Sequence, residues 1–152
     1  MKYLLTLLLF VSLNVFSYTE TELYCEYEIV SDESFYNGVK TDNVYNSPGK
    51  IERKNFLLRE YVRDITYLYN PSSLMKKRMP CKKQIHKITC EFTDEISLYD
   101  QFKVDWVNSY FFEMNRLTKN SKYIYKYSSD RLTQTKEFLG ECVIRSEREV
   151  TE

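Results

Sequence analysis

The sequence predicts an all-β protein, a small antiparallel sandwich or barrel held together by disulfide bonds. Several segments alternate apolar and polar residues, which is the period of a strand with one buried face. The chain also contains 14 tyrosines and 9 phenylalanines, and aromatic side chains fit a pleated surface well. Its 4 cysteines form an even set, as expected of a chain with paired cysteines.

Residues 1–17 are expected to be a signal peptide. Lys2 supplies a positive charge, residues 3–16 supply a mostly apolar run, and Val15 and Ser17 stand where signal peptidase accepts small side chains. The run is shorter than the roughly 20 apolar residues of a transmembrane helix. An uncleaved anchor is the alternative. We therefore expect one mature β-rich domain, residues 18–152, that is periplasmic or secreted and has no membrane span after cleavage.

The cysteines predict two disulfides, because exported proteins fold in an oxidising compartment. We favour Cys81 with Cys90 as a local clip, and Cys25 with Cys142 as a link between the first and last predicted strands. A zinc site that includes His86 is the alternative, but the ligand pairs of structural zinc sites usually lie about two to four residues apart. We therefore expect no metal and no cofactor.

The first part of the mature chain predicts one strand and one long connection. Along residues 22–30, Leu23, Cys25 and further apolar side chains share one face, while glutamates alternate with them. Residues 31–50 are polar and contain the turn signals "YNG" and "SPG". Loops of this length are often functional or disordered.

Residues 48–69 fit two structures. Their apolar residues recur at helical spacing, and a helix here would make the fold α+β. The same segment also predicts a hairpin of residues 55–61 and 64–70, in which Tyr67 and Tyr69 share a face. We favour the hairpin because the neighbouring segments are typical of strands.

The second half of the chain predicts further strands. Residues 83–100 suggest two strands with a break at Thr93 and Asp94. Residues 110–129 predict a hairpin that turns at "LTKN", and residues 136–145 predict the last strand.

A basic segment is the main candidate binding site. Its cationic side chains are Lys76, Lys77, Arg78, Lys82, Lys83, His86 and Lys87. If Cys81 pairs with Cys90, the segment is held in shape and presents these cations to phosphate, lipid headgroups or an acidic protein surface. A solvated loop balanced by acidic strands is the alternative. Nucleic acid is not expected as a partner, because export removes it and the whole chain has 22 basic and 22 acidic residues.

A ladder of tyrosines is a weaker candidate. Tyr123, Tyr125 and Tyr127 share one face of a predicted strand, with Lys122 and Lys126 on the other. Exposed rings would form a binding surface, which Tyr67 and Tyr69 would extend from another strand. We favour the core interpretation, because the lysine face is the one that requires water.

The sequence predicts a binding protein and no enzyme. It contains a single histidine, no G-x-S-x-G or H-E-x-x-H motif and no glycine-rich phosphate loop. In general plan the chain resembles small exported inhibitors of cell-wall hydrolases and other small periplasmic binding proteins, but it shares no motif that assigns residue roles. We expect an interaction module of inhibitor or immunity type, with an envelope or extracellular protein or an anionic surface as its partner. A barrel-type small-molecule carrier and an envelope hydrolase with paired carboxylates are the alternatives.

Overall fold

The computed structural model of the chain describes residues 17–41, 48–62, 65–70, 78–98 and 104–151. Residues 1–16, which make up most of the predicted signal peptide, lie outside this set. Across the described residues the backbone forms nine β-strands: β1 (Ser17–Tyr36), β2 (Val39–Thr41), β3 (Ile51–Tyr61), β4 (Thr66–Tyr69), β5 (Arg78–Lys83), β6 (Lys87–Leu98), β7 (Val104–Asn115), β8 (Asn120–Ser128) and β9 (Leu132–Thr151).

The strands form one antiparallel sheet that closes into a barrel. From β3 to β9 each strand pairs with the next strand along the chain, and β1 pairs with both β3 and β9. Strand β2 extends from β1 as a short additional hairpin. The all-β prediction is confirmed, and of its two architectures the barrel is the one observed. None of the described residues belongs to a helix that is long and apolar enough to cross a membrane.

Strands β3 and β4 form the two strands of the predicted hairpin, and residues 63 and 64 between them lie outside the described residues. Strands β3 and β4 pair from Leu57 opposite Tyr69 to Glu60 opposite Thr66. The helical spacing of the apolar residues was misleading, because Leu58 and Leu68 point into the barrel while Tyr67 and Tyr69 lie on its outer face.

The prediction of a polar connection over residues 31–50 was wrong for its first part. Strand β1 continues to Tyr36, turns at Asn37 and Gly38, and returns as β2. Both turn residues have positive φ, 50° and 78°, which Asn and Gly tolerate in a tight hairpin turn. The "YNG" signal therefore joins two strands.

The predicted break at Thr93 and Asp94 was also wrong. Strand β6 runs through both residues, with Asp94 buried and opposite Asn108 of β7. The hydroxyl of Tyr125 donates a hydrogen bond to Asn108 Oδ1 at 2.9 Å. Polar side chains are thus accommodated inside this end of the barrel, and the strand does not need to end at them.

The barrel interior is filled by aromatic, aliphatic and half-cystine side chains. The buried core consists of Leu23, Cys25, Tyr27, Ile29, Phe56, Leu58, Leu68, Met79, Ile88, Cys90, Phe112, Met114, Tyr123, Phe138 and Cys142. The hydroxyl of Tyr27 lies 2.7 Å from Ser121 Oγ, which donates a hydrogen bond to the Glu113 carbonyl at 3.0 Å. The buried tyrosine therefore donates to the serine, and its polar atom is satisfied.

Both predicted disulfides are confirmed. Cys25 bonds to Cys142 and Cys81 bonds to Cys90. In each case the two residues are direct partners on neighbouring antiparallel strands. The first disulfide crosses the β1–β9 seam that closes the barrel. All four thiols are used, so none remains as a ligand for the alternative zinc site.

Candidate functional site

The basic segment does not form a single patch. Arg78 lies at the start of β5 and Lys83 at its end, about 17 Å apart at the usual rise of a strand. Lys83 pairs with Glu60 at 2.5 Å, and Lys87 pairs with Glu113 at 2.6 Å. Part of the predicted positive charge is therefore neutralised.

The described cations of the segment belong to two different places. Arg78 lies on the barrel wall, whereas Lys82, Lys83, His86 and Lys87 lie at or beside the turn between β5 and β6. Lys76 and Lys77 lie outside the described residues. The wall and the turn are therefore two separate surfaces.

On the wall, Arg78 belongs to a cluster that we call the tyrosine–arginine face. Its members are Arg59 and Tyr61 of β3, Tyr67 and Tyr69 of β4, and Arg78 of β5. They share the outer face of three neighbouring strands, because side chains alternate across a sheet and Leu58, Leu68 and Met79 fill the inner face.

The members of this face contact one another. The guanidinium carbon of Arg59 lies 4.8 Å from the ring centre of Tyr69, and that of Arg78 lies 4.8 Å from the ring centre of Tyr67. The rings of Tyr61 and Tyr67 meet edge to face with their centres 6.0 Å apart. Such stacked cations and rings attract each other through the quadrupole of the ring.

An ion pair borders this face, because Glu20 of β1 lies opposite Arg59 in the strand register and on the same outer side of the sheet. Glu20 of β1 is only 4% exposed and accepts hydrogen bonds from Arg59 at 2.8 Å and from Arg148 of β9 at 2.5 Å. The Arg59 guanidinium also lies 5.0 Å from the ring centre of Tyr18, so it is held between two tyrosines. Arg59 therefore contacts Glu20, Tyr18 and Tyr69 at once.

The pKa of Glu20 reflects these contacts. Burial alone would raise this pKa, but the hydrogen bonds from Arg148 and Arg59 outweigh burial and lower the pKa below the ordinary glutamate value. For Arg59, burial acts to lower the pKa, and the hydrogen bonds to Glu20 and Tyr61 raise it overall. Both groups are therefore charged at neutral pH.

At the turn, His86 and Lys82 lie beside an exposed apolar side chain. Ile85, in the turn between β5 and β6, is 81% exposed. Leu117, in the turn between β7 and β8, is 71% exposed. The amide of Arg116 donates a hydrogen bond to the His86 carbonyl at 2.8 Å, so the two turns are in contact. Sequence reasoning singled out the cations here and missed the apolar tips.

The tyrosine ladder points into the barrel. Tyr123 is 5% exposed and belongs to the core, and burial raises its pKa. Tyr125 and Tyr127 are half-buried towards the open end of the same inner face. Tyr67 and Tyr69 lie on the outer face, so they do not extend the ladder as expected.

The tyrosine–arginine face was only partly visible in the sequence. The hairpin prediction placed Tyr67 and Tyr69 together, and the basic segment included Arg78. Arg59 and Glu20 were not found, because their contact depends on the register of β1 against β3. No protein-family model, curated protein or solved structure matches the chain, so its function is inferred from these surfaces.

Proposed function

We propose that this chain is an exported, disulfide-bonded protein that acts by binding another protein of the envelope or the extracellular space, as inhibitors and immunity-type proteins do. Two cross-strand disulfides support an oxidising location. The predicted signal peptide over residues 1–17 agrees with that location.

The observation that carries this proposal is the tyrosine–arginine face. Tyrosine and arginine are enriched among the residues that contribute most to protein–protein binding. The stacked contacts of Arg78 on Tyr67 and of Arg59 on Tyr69 hold these side chains in fixed positions. A partner therefore meets a rigid surface, and little side-chain entropy is lost on binding.

The charge of this face indicates which chemical groups a partner should carry. Arg59 shares Glu20 with Arg148, while Arg78 is exposed at the edge of the face. A carboxylate on the partner would bind the Arg78 guanidinium in two-pronged geometry while apolar groups cover the tyrosine rings. We expect association to weaken as ionic strength rises.

A small-molecule carrier has less support. An eight-stranded barrel is just wide enough either to be filled by its own side chains or to hold one small ligand. In the described barrel Tyr27, Phe56 and Phe112 are fully buried in the middle of the interior. We therefore place the binding site on the outer wall, and we propose binding without catalysis.

The test is capture of a partner from envelope extract by the wild type, followed by affinity measurement with the purified partner. The test variant is Tyr67→Ala/Arg78→Ala. The control is Tyr24→Ala/Arg145→Ala, which removes another stacked pair, 4.0 Å apart, from the outer wall near the β1–β9 seam. Thermal unfolding verifies that both variants are folded.

We expect the test variant to bind the partner about 30-fold more weakly, the effect of losing one strong interface contact of about 2 kcal/mol. The control variant should bind as the wild type does. Equal affinity of the test variant and the wild type would overturn the proposal, as would equal losses in both variants.

A further inference from the structure

We propose that one end of the barrel rests on an anionic bilayer surface. The end is the one formed by the turns after β3, β5 and β7, and we call its apolar side chains the turn-tip surface: Val62, Ile65, Ile85 and Leu117. This inference concerns a different surface from the tyrosine–arginine face and does not depend on it.

The turn-tip side chains protrude into solvent. Their exposed fractions are 67% for Val62, 47% for Ile65, 81% for Ile85 and 71% for Leu117. Consecutive antiparallel strands place every second turn at the same end, so the three turns lie together. Single side chains on separate turns suit insertion into a soft, deformable layer better than docking to a flat protein surface.

The tips are held in place by hydrogen bonds. Besides the Arg116 amide bond to His86, the Asn115 Oδ1 accepts hydrogen bonds from the amides of Leu117 at 2.9 Å and Thr118 at 3.0 Å. The turn closes at Lys119, whose φ is 64°. Ile85 and Leu117 are therefore presented by two adjoining, ordered turns.

Cations surround these two tips. Lys82 and His86 flank Ile85, and Arg116 and Lys119 flank Leu117. Of the acidic side chains at this end, Glu60 and Glu113 are paired with lysines, whereas Glu141 lies opposite Asn120 beside the β7–β8 turn and Glu149 lies in the depression beside Val62. A basic residue near an anionic membrane surface contributes about 1 kcal/mol to binding, so this collar favours anionic headgroups.

The first described residue of the chain lies at the turn-tip end. Strand β1 begins at Ser17 at this same end, where Ser17, Tyr61 and Val62 line one depression of the surface. The apolar run of residues 3–16 is therefore joined to the turn-tip end. The predicted signal peptide is joined to this end only until cleavage, so contact of the mature chain with a bilayer is argued from the apolar turn tips and the basic residues beside them.

The opposite end differs in its described turns. The β1–β2 turn consists of Asn37 and Gly38, and residues 129–131, Ser-Asp-Arg, connect β8 to β9. The turn residues themselves are polar, and Val39, which follows Gly38, is 67% exposed but lies beside Lys40, which is paired with Glu33 at 3.0 Å. Among the described turns, the two adjoining turns of the turn-tip end are the ones that present Ile85 and Leu117 between basic residues.

The test is sedimentation of the chain from Ser17 onward, which contains all the described strands, with phosphatidylcholine vesicles that contain or lack phosphatidylglycerol. The test variant is Ile85→Ser/Leu117→Ser. The control is Val39→Ser, which removes a side chain that is also 67% exposed but lies near the other end. A Leu117→Trp variant supplies a second readout, the shift of tryptophan emission on insertion.

We expect the wild type to bind vesicles with phosphatidylglycerol, the test variant to bind at least about tenfold more weakly, and the control to be unchanged. The Leu117→Trp emission should shift to shorter wavelength. No vesicle binding by the folded wild type, or equal binding by wild type and test variant, would overturn the inference. Loss of a protein partner in the test variant, without any change in vesicle binding, would assign this end to a protein interface and also overturn it.

The two proposals fail separately. The Tyr67→Ala/Arg78→Ala variant should sediment with vesicles as the wild type does, because its changes lie on the wall. If that variant loses vesicle binding, the wall and not the turn tips contacts the bilayer.

Discussion

Removal of the disulfide that closes the barrel should cost more stability than removal of the local disulfide. The two bonds are alike in the folded state. Each joins direct partners on neighbouring antiparallel strands, with Cα atoms 4.0 Å apart in both. They differ in the unfolded chain, where Cys25 and Cys142 are separated by 117 residues and Cys81 and Cys90 by 9.

The difference can be worked out from loop closure. In the chain-entropy treatment, a cross-link removes about 2.1 + 1.5R ln n cal/mol/K from the unfolded chain. At room temperature this gives about 4.8 kcal/mol for the Cys25–Cys142 loop and about 2.6 kcal/mol for the Cys81–Cys90 loop. The expected difference between the two removals is therefore about 2 kcal/mol.

The assay is urea unfolding of Cys25→Ala/Cys142→Ala and Cys81→Ala/Cys90→Ala beside the wild type. Both variants lose sulfur atoms from largely buried positions, so the packing losses partly cancel in the comparison. The slope with urea should rise more for the first variant, because its unfolded chain expands more. Equal losses, or a larger loss in the second variant, would refute the reasoning that the unfolded chain decides the difference.

Three further outcomes are expected. Gly140→Ala should lower the melting temperature markedly, because a Cβ there would lie 2.8 Å from the Tyr27 Cα and force the backbones of β9 and β1 apart. Glu20→Gln should destabilise the protein at neutral pH, in urea titrations, by weakening the bonds to Arg59 and Arg148. The pKa of Glu20 is lowered in the folded protein, so its carboxylate stabilises the fold above pH 4.5, the ordinary pKa. This stabilisation is lost as the pH falls through the pKa of the folded state. Glu20→Gln should therefore lose less stability on acidification than the wild type does. Burial raises the pKa of Tyr27, so the free energy of unfolding should fall as the pH rises above 10.0, the ordinary pKa of tyrosine. Tyr27→Phe should reduce that fall, although it should cost about 1 kcal/mol of stability at neutral pH.

Strand alternation predicted the fold class, and the even number of cysteines in a chain with a predicted signal peptide predicted two disulfides. Along residues 22–30 and 121–127 the charged side chains fall on one face of the strand, with Tyr24, Val30 and Ile124 among them, because the other face is buried in the barrel. Cys25 and Cys142 fall on such inner faces of the first and last strands. Their pairing follows once those two strands are neighbours, which is what closure of the sheet requires.

Alternation failed where the barrel interior is polar. Asp32 of β1 is 1% exposed in its side chain, lies 3.6 Å from Lys136 of β9, and accepts a hydrogen bond from Gln134 at 3.0 Å. These side chains interact with one another across the seam, so the strand continues without an apolar face. A pattern that counts only hydrophobic residues predicts a loop at such a segment.

The candidate surfaces were less predictable than the fold, because both depend on register. Arg78 and Lys82 are near in sequence, yet one stacks on Tyr67 and the other lies at the turn beside Ile85. Glu20 contacts Arg59 and Arg148, which are 39 and 128 residues away along the chain. Charge along the sequence therefore located cations correctly but could not assign them to surfaces.

The geometry of the barrel makes the two proposals compatible with each other. The turn-tip surface closes one end, whereas the tyrosine–arginine face runs along the wall from Tyr61 near that end towards Arg78 at the start of β5. A barrel that stands on its turn tips keeps Arg78 and Tyr69 away from the bilayer and open to a partner. Attachment to the membrane would then confine the search for an envelope protein to the surface and raise its effective concentration. We therefore expect vesicle-bound wild type to capture a membrane-associated partner more efficiently than Ile85→Ser/Leu117→Ser, although the two have the same affinity for that partner in solution.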